Sequence, residues 1–209
     1  MILETVTAQI TPSGLFVMGA LHEGAGTLVL LGADRGCWPN FKRAREYRDG
    51  RPDPLDRWSK RIIGAVARET GAKDTYPSDG PPYAPFISWA MQTGRFFQSP
   101  TGMMVHDTAG LMISIRGALH FDTRLDLETP ERVNPCDSCF EKPCISACPV
   151  GALSATQDYD VPACKSYLDT DPGQDCMTKG CKTRRACPVS IAFERAPEQS
   201  AFHMISFKG

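Results

Sequence analysis

The stretch Cys136–Leu153, CDSCFEKPCISACPVGAL, holds four cysteines within thirteen residues and a proline after the last of them. Its spacing, C-x2-C-x4-C-x3-C-P, differs from the C-x2-C-x2-C-x3-C-P run that ligates iron-sulfur clusters by two extra residues before the third thiol. A tight loop can direct the first three side chains to one point, whereas the fourth, Cys148, faces away. Pro149 suits the turn into a short helix at VGAL, because its φ is fixed and it has no N–H. This stretch therefore predicts the centre of a cluster-binding module.

A second half-motif follows the first. Cys164 lies in PACKSYL, and the later thiols lie in DCMTKGCKTRRACPV, which ends with the pair Cys187-Pro188. This again gives three thiols and a Cys-Pro pair. In two-cluster ferredoxins the cysteine of such a pair ligates the cluster of the other half. The crossed arrangement predicts two 4Fe-4S clusters. Their predicted ligands are Cys136, Cys139, Cys144 and Cys187 for one, and Cys148, Cys164, Cys176 and Cys181 for the other.

Eight of the nine cysteines lie in the last third of the chain, and only Cys37 stands apart. The N-terminus, MILETVTAQITPSG, has neither a basic nor a continuous apolar segment, so we expect no secretory signal and reduced thiols. Clustered reduced thiols favour metal or cluster ligation over a disulfide framework. Structural zinc is one alternative, because cysteine-only sites also suit it. A single cluster or an oxidised set of thiols is the other, and Cys37 itself is expected to be a small buried residue.

Composition narrows the class of partner. The chain has 209 residues and a formal net charge of -1, so its overall charge does not indicate a nucleic-acid partner. No stretch approaches the ~18 apolar residues needed to span a bilayer, so we expect no membrane partner. These features predict a cytoplasmic protein.

A polar segment, DTRLDLETPERVNP at residues 122–135, predicts a linker between two domains. Residues 1–125 are expected to form an α+β domain that binds a cofactor, a substrate or a partner. Residues 126–209 are expected to form a ferredoxin-like domain that holds both clusters.

Residues 1–125 contain both strand and helix patterns. GLFVMGAL and TLVLLGA, joined by HEGAG, predict two strands. Asp53 and Pro54 predict an N-cap and first turn, and apolar residues recur at helical intervals up to Gly71. PFISWAMQTGRFF predicts a second helix over residues 85–96. The segments GMMVH, DTAG and LMISIRGALHF predict a closing hairpin.

The last of these strands alternates. One face is predicted to be core, and the other is predicted to be open to solvent, a second domain or a ligand. The order of elements predicts an α+β fold, an α/β sandwich with a largely antiparallel sheet. There is no G-x-G-x-x-G and no Walker motif, which argues against a Rossmann site and a P-loop. The predicted core face carries Leu111, Ile113, Ile115, Leu119 and Phe121, and the open face Met112, Ser114, Arg116, Ala118 and His120.

The cysteine motifs carry one resemblance. CDSCFEKPCISACPVGAL resembles the ferredoxin-type iron-sulfur subunits of molybdopterin oxidoreductases. The order of the two half-motifs, with CKSYL between them, is similar to the cluster module of epoxyqueuosine reductase over residues 134–190. The C-x4-C-x5-C-P spacing of the second half departs from that module.

A second resemblance lies in HDTAGLMISIRG, residues 106–117. This block resembles a segment of the cobalamin-processing family, whose fold is related to the flavin nitroreductases. Epoxyqueuosine reductase joins a domain of that type to two 4Fe-4S clusters. The resemblance implies cobalamin or flavin as a further cofactor, with Arg116 and His106 in contact with it; the alternative is a surface or packing role. DPLDRWSKR, PPYAPFISWA and EQSAFHM also resemble a group of short bacterial ferredoxin-like proteins.

Two functions are consistent with these observations. In the first, an electron-donor protein reduces the clusters, and electrons pass to a flavin, a corrinoid or a small organic substrate at the N-terminal domain. In the second, the protein only transfers electrons, and its N-terminal domain docks a partner. We expect no tRNA substrate, and the sequence indicates no catalytic residue.

Two groups of basic residues have a functional and a structural interpretation. The run Lys42–Arg61 could dock an acidic electron donor or form a solvated helical face. Four cations near the second half-motif could offset the negative charge of a cluster or lie in a solvated turn. These four are Lys179, Lys182, Arg184 and Arg185.

Overall fold

A computed structural model describes residues 2–128, 131 and 133–209, and these residues form a mixed α+β fold. The elements follow in this chain order: α1 Ile2–Ile10, a 3-10 turn Thr11–Ser13, β1 Leu15–Glu23, β2 Gly26–Ala33, α2 Cys37–Arg43, α3 Arg45–Arg48, α4 Pro54–Thr70, β3 Lys73–Thr75, α5 Phe86–Gln92, β4 Phe96–Gln98, β5 Met104–His106, β6 Ile115–Phe121, α6 Val161–Leu168, α7 Gln174–Lys179, α8 Lys182–Ala186, α9 Pro188–Ala192 and α10 Pro197–Lys208.

The chain divides into two compact units. The first unit comprises Met1–Arg95 with Ser114–Arg132, and the second unit comprises Phe96–Ile113 with Val133–Gly209. The sequence predicts a boundary at residue 125, whereas Phe96–Ile113 belong to the second unit and the first unit extends to Arg132. Of the predicted linker, Thr129, Pro130 and Arg132 lie outside the described residues.

The first unit is built on an antiparallel sheet in the order β1-β2-β6-β3. The two strands predicted from GLFVMGAL and TLVLLGA are confirmed, and they pair as a hairpin from Leu15 opposite Ala33 to Glu23 opposite Gly26. Strand β2 lies between β1 and β6, and Leu28 to Leu31 are fully buried. A central strand is covered on both faces, so its sequence is a continuous apolar run rather than an alternating one.

Helix α4 covers one face of this sheet. It begins at Pro54 and ends before Gly71, as predicted, and Gly71 caps it in the left-handed region with φ 72°. Asp53 is not the predicted side-chain cap: its φ is 51° and its side chain makes no capping hydrogen bond. Gly117 of β6 lets the helix approach, because a Cβ there would lie 2.9 Å from Cδ1 of Ile63.

Helix α5 covers the side of β6 that carries His120. The indole of Trp89 donates to Glu23 Oε1 at 3.2 Å, and its ring lies edge-on to His120 with 5.3 Å between centroids. Ala118 on the same side is fully buried. The prediction of an open face on this strand is therefore wrong, because side chains of α5 and β1 occupy it.

The predicted closing hairpin is also wrong. Strand β5 pairs with β4, with Phe96 opposite His106, while β6 begins only at Ile115 and pairs with β2 and β3. The chain turns at Gly110, whose φ is 58°, and the N–H of Leu111 then donates to Ser190 Oγ at 2.8 Å instead of to a strand. The helix predicted over residues 85–96 is shorter in the structure. Helix α5 ends at Gln92, because the chain from Phe96 forms β4.

The run Lys42–Arg61 forms ion pairs within the first unit. Glu46 has 4% exposure and accepts hydrogen bonds from Arg61 at 2.5 and 3.0 Å and from Arg45 at 3.3 Å. The guanidinium of Arg61 lowers the pKa of Glu46 to about 2. Arg57 pairs with Asp49 at 2.7 Å. Part of the charge in this run is thus neutralised internally.

We expect Glu46→Gln to lower the free energy of unfolding of the first unit at pH 7 by about 3 kcal/mol. This is the free energy that corresponds to the fall of the Glu46 pKa from 4.5 to about 2. Because the folded-state pKa lies below the ordinary value of 4.5, this stabilisation is complete above pH 4.5 and is lost as the pH falls towards 2. The variant should therefore lose less stability on acidification than the parent.

Tryptophan fluorescence during denaturant unfolding measures this effect, since all three tryptophans lie in the first unit. The matched control is Asp122→Asn, which breaks an exposed pair with Lys73 and should cost at most about 1 kcal/mol. Equal losses in the two variants would contradict the buried ion pair.

No helix within the described ranges has both the length and the apolar character needed to cross a membrane.

Candidate cluster-binding site

The second unit brings four cysteines together around one cavity of about 210 Å³. Two of them, Cys144 and Cys187, are buried in an apolar core with Val105 and Leu111. The first site, as this group is called below, consists of Cys136, Cys139, Cys144 and Cys187.

Turns and a helix start position the thiols of the first site. The side-chain Oδ1 of Asn134 accepts a hydrogen bond from the N–H of Cys136 at 3.0 Å. The backbone carbonyl of Asn134 accepts one from the N–H of Asp137, also at 3.0 Å. Cys187 is the N-cap of α9, and Pro188 occupies the first turn of that helix, where no N–H is needed. The Cys-Pro pair therefore presents its thiol at a helix start. At Pro149, in contrast, the predicted short helix is absent and the chain only turns.

The thiols of the first site affect one another electrostatically. Burial, together with the charges of Cys144, Cys187 and Cys139, raises the pKa of Cys136 to about 11. Burial and the neighbouring Cys187 likewise raise the pKa of Cys144. Thiols that disfavour one another's ionisation need a cationic group to hold them as thiolates, and binding such a group releases their protons.

The other four clustered cysteines are the predicted ligands of the second cluster. Burial raises the pKa of Cys164, and the charges of Cys181 and Cys148 act in the same direction. Burial also raises the pKa of Cys176, again with Cys181 as a neighbour. The second site, as this group is called below, consists of Cys148, Cys164, Cys176 and Cys181.

Short helices and a turn hold the second site. Cys164 lies on α6, which Asp160 caps by accepting the N–H of Ala163 at 2.9 Å. Cys176 lies on α7, and Cys181 is the N-cap of α8. The N–H of Ala152 donates to the sulfur of Cys148 at 3.3 Å.

Several polar groups surround the second site. Burial raises the pKa of Cys164 and of Cys176, while the hydroxyl of Tyr159 lowers the first and the backbone N–H of Lys182 lowers the second. Thr183 is fully buried, and its Oγ1 has no hydrogen-bond partner among the residues that the structure describes. An orphaned hydroxyl two positions after a thiol fits a bound group with acceptor atoms, such as the inorganic sulfide of a cluster.

The four cations of this region fall into two classes. Lys179, Lys182 and Arg185 converge on Asp175, and Lys179 and Arg185 lower its pKa. Arg184 instead donates to the carbonyl of Leu111 and lies near Cys181 and Tyr159. Of these four cations, Arg184 is the one that donates to Leu111 rather than to Asp175.

The first site has four thiols around one cavity, and four is the number of thiols that ligate a 4Fe-4S cluster. All nine cysteines are free thiols, and Cys37, in the first unit, is fully buried as expected. Within the described part of the chain, no three His, Cys, Asp or Glu side chains are arranged to hold a metal ion.

The two predicted cofactor-binding residues lie in different units. Arg116, in the first unit, is ion-paired with Asp56, and its Nε donates to Ser59 Oγ at 3.1 Å. His106, in the second unit, is fully buried, and its Nδ1 accepts the N–H groups of Thr108 and Ala109 at 3.1 Å. Both side chains make internal contacts, and their role towards a flavin or corrinoid stays a prediction.

Sequence reasoning missed Asn134, Tyr159 and Thr183. Asn134 carried a usable signal, because an asparagine two residues before a cysteine can form a side-chain turn that orients it. Tyr159 and Thr183 carried none, since their relation to the thiols depends on side-chain directions that spacing does not encode.

Comparison of the chain with models of protein families and with curated proteins gave no match.

Proposed function

We propose that this chain is an electron-transfer protein whose second unit is a ferredoxin-like module with two 4Fe-4S clusters, one on each site. One observation carries the proposal. Cys187 of the second motif lines one cavity with Cys136, Cys139 and Cys144 of the first motif, so the first site combines thiols from both sequence motifs. The crossed pairing of two-cluster ferredoxins has this same pattern.

When bound, each cluster supplies one-electron chemistry at a potential set by its charge, hydrogen bonds and exposure. The residues of the chain hold the clusters and set that environment. The thiols bind iron, and the apolar walls of the first site exclude water. Tyr159 acts on Cys164 of the second site, and Arg184 lies near Cys181 of the same site.

We propose that the first unit recognises a redox partner, such as an electron-donor protein. The internal contacts of Arg116 and the coverage of the sheet by α4 and α5 support this role over an anion site on β6. A flavin or corrinoid bound to the first unit, which would make the protein a reductase, is the alternative. A nitroreductase-like fold for the first unit belongs to that alternative.

Anaerobically purified protein should contain about eight iron and about eight sulfide per chain, as two four-iron clusters require. The control is Cys37→Ala, which lies outside both sites and should leave these contents unchanged. Two zinc ions and no sulfide would contradict the proposal. The absorption spectrum of the same sample decides whether the first unit recognises a redox partner or binds a cofactor. A flavin or a corrinoid adds bands that clusters alone do not have.

A further inference from the structure

We propose that a left-handed turn at Lys142 is the element that brings Cys144, the third thiol of the first motif, into the first site. Lys142 then acts through its backbone, as a positioning residue for a predicted ligand. This inference rests on the proposed function, because the thiol that it concerns belongs to one of the two predicted clusters.

The loop between the second and third cysteines is longer than in the compact motif. Four residues separate Cys139 from Cys144, whereas two residues separate the corresponding cysteines of the run C-x2-C-x2-C-x3-C-P. The two ends of this loop nevertheless converge, because both cysteines line the cavity of about 210 Å³. The chain must therefore leave the cavity after Cys139 and return to it at Cys144.

Exposure along the loop shows where the chain leaves and returns. Phe140 is 94% exposed, Cys144 is 7% exposed and Ile145 is 54% exposed. The return takes place in one turn, in which the N–H of Ile145 donates to the carbonyl of Lys142 at 3.0 Å. Pro143 and Cys144 are the two central residues of this turn, and proline suits the first of these positions because its φ is fixed.

Lys142 adopts a backbone conformation that costs free energy. Its φ is 41°, in the left-handed region that residues other than glycine seldom occupy. The proline that follows adds to the cost, since the residue before a proline is restricted towards extended conformations. Strained residues of this kind persist where the surrounding structure holds them, and they concentrate at functional sites. Lys142 itself lines the cavity of the first site and begins the turn that carries Cys144.

The left-handed turn explains how the longer spacing can serve the same site. It reverses the chain after the exposed Phe140, so that Cys144 lines the cavity and Ile145 is exposed. An extended backbone at Lys142 is what the following proline favours. That backbone would direct the chain onward and leave Cys144 outside the group of thiols.

The test is the rate at which iodoacetamide alkylates Cys144 in the anaerobic full-length protein, measured by mass spectrometry of its peptides. Lys142→Val introduces a β-branched residue, for which positive φ is a rare outlier. We expect the rate to rise by about tenfold, because the added strain opens the turn and exposes the buried thiol. Where iron is bound, the same variant should retain about four iron per chain instead of about eight.

Two matched variants separate the backbone of Lys142 from its side chain. Lys142→Asn also removes the ammonium and is close to valine in size, but asparagine tolerates the left-handed region. It should keep the alkylation rate and the iron content of the parent. Lys179→Val makes the same substitution as Lys142→Val at the end of helix α7, where no positive φ is required. It should leave the rate at Cys144 unchanged.

Each outcome decides the inference. A faster rate in Lys142→Val with a parental rate in Lys142→Asn supports it, even if the valine variant opens the whole loop. Equal rates in these two variants, whether fast or slow, overturn it while the two-cluster function stands. A parent protein without iron or sulfide contradicts the proposed function alone, because the two alkylation rates can still be compared in the metal-free chain.

Discussion

Cys187→Ala is expected to abolish the same paramagnetic signal as Cys139→Ala and to reduce the iron content by about half, from about eight to about four. The reason is the grouping of thiols in the structure. Cys187 lines one cavity with Cys139 and is buried beside Cys144, although its nearest cysteine in sequence is Cys181. Iron analysis and paramagnetic resonance of the anaerobic, reduced variants measure the effect.

Cys181→Ala is the matched variant for this experiment. It removes a thiol six positions earlier in the chain, and it should abolish the signal that Cys164→Ala abolishes, while leaving that of the first site. If Cys181→Ala and Cys187→Ala abolished the same signal, the two half-motifs would be uncrossed and the grouping would be wrong.

Ile63→Ala should lower the free energy of unfolding of the first unit by about 2 to 5 kcal/mol, the range for large-to-small changes in a packed core. Ile63 is fully buried on α4 and faces Gly117 of the sheet. The surroundings include the backbone of a central strand and relax little, so a cavity remains. Denaturant unfolding followed by tryptophan fluorescence reports on this unit, which contains all three tryptophans.

Ile87→Ala controls for the chemistry of the substitution. Ile87 also lies on a helix of the first unit, but it is 68% exposed. Its replacement should change stability by at most about 0.5 kcal/mol. A similar loss in both variants would mean that Ile63 does not pack in the core. Iron content should not change in either variant, because every predicted ligand lies in the second unit.

Local patterns predicted those elements that depend on few distant contacts. The apolar runs before and after HEGAG formed β1 and β2, and Pro54 and Gly71 marked the ends of α4. The hairpin after residue 102 was predicted wrongly, because β4 and β5 have only three residues each and their pairing shows no alternation. The hydrogen bond from Leu111 to Ser190 also depends on a residue far away in the chain.

The candidate site was also predictable only where it depends on local sequence patterns. The cysteine spacing and the two Cys-Pro pairs predict two groups of thiols, and four of these cysteines line one cavity, while the second group and ligation itself stay predictions. The internal ion pair of Arg116 was not predictable, because Asp56 lies far from it in sequence and on another element. The resemblance of residues 106–117 to the cobalamin-processing family made Arg116 a candidate for contact with a cofactor, and the structure supplies Asp56 as its partner.

The interleaved order of the cysteines sets an order of assembly during biosynthesis. All four thiols of the second site lie between Cys144 and Cys187, so the loop that closes the first site contains the second site within it. At about 5 to 20 residues per second, the ribosome completes the inner set before it adds Cys187. Closing the inner site shortens the outer loop, and each halving of loop length reduces the entropic cost of closure by about 0.6 kcal/mol. We therefore expect iron to be inserted into the second site first, so that the first site is completed on a chain that is already partly folded.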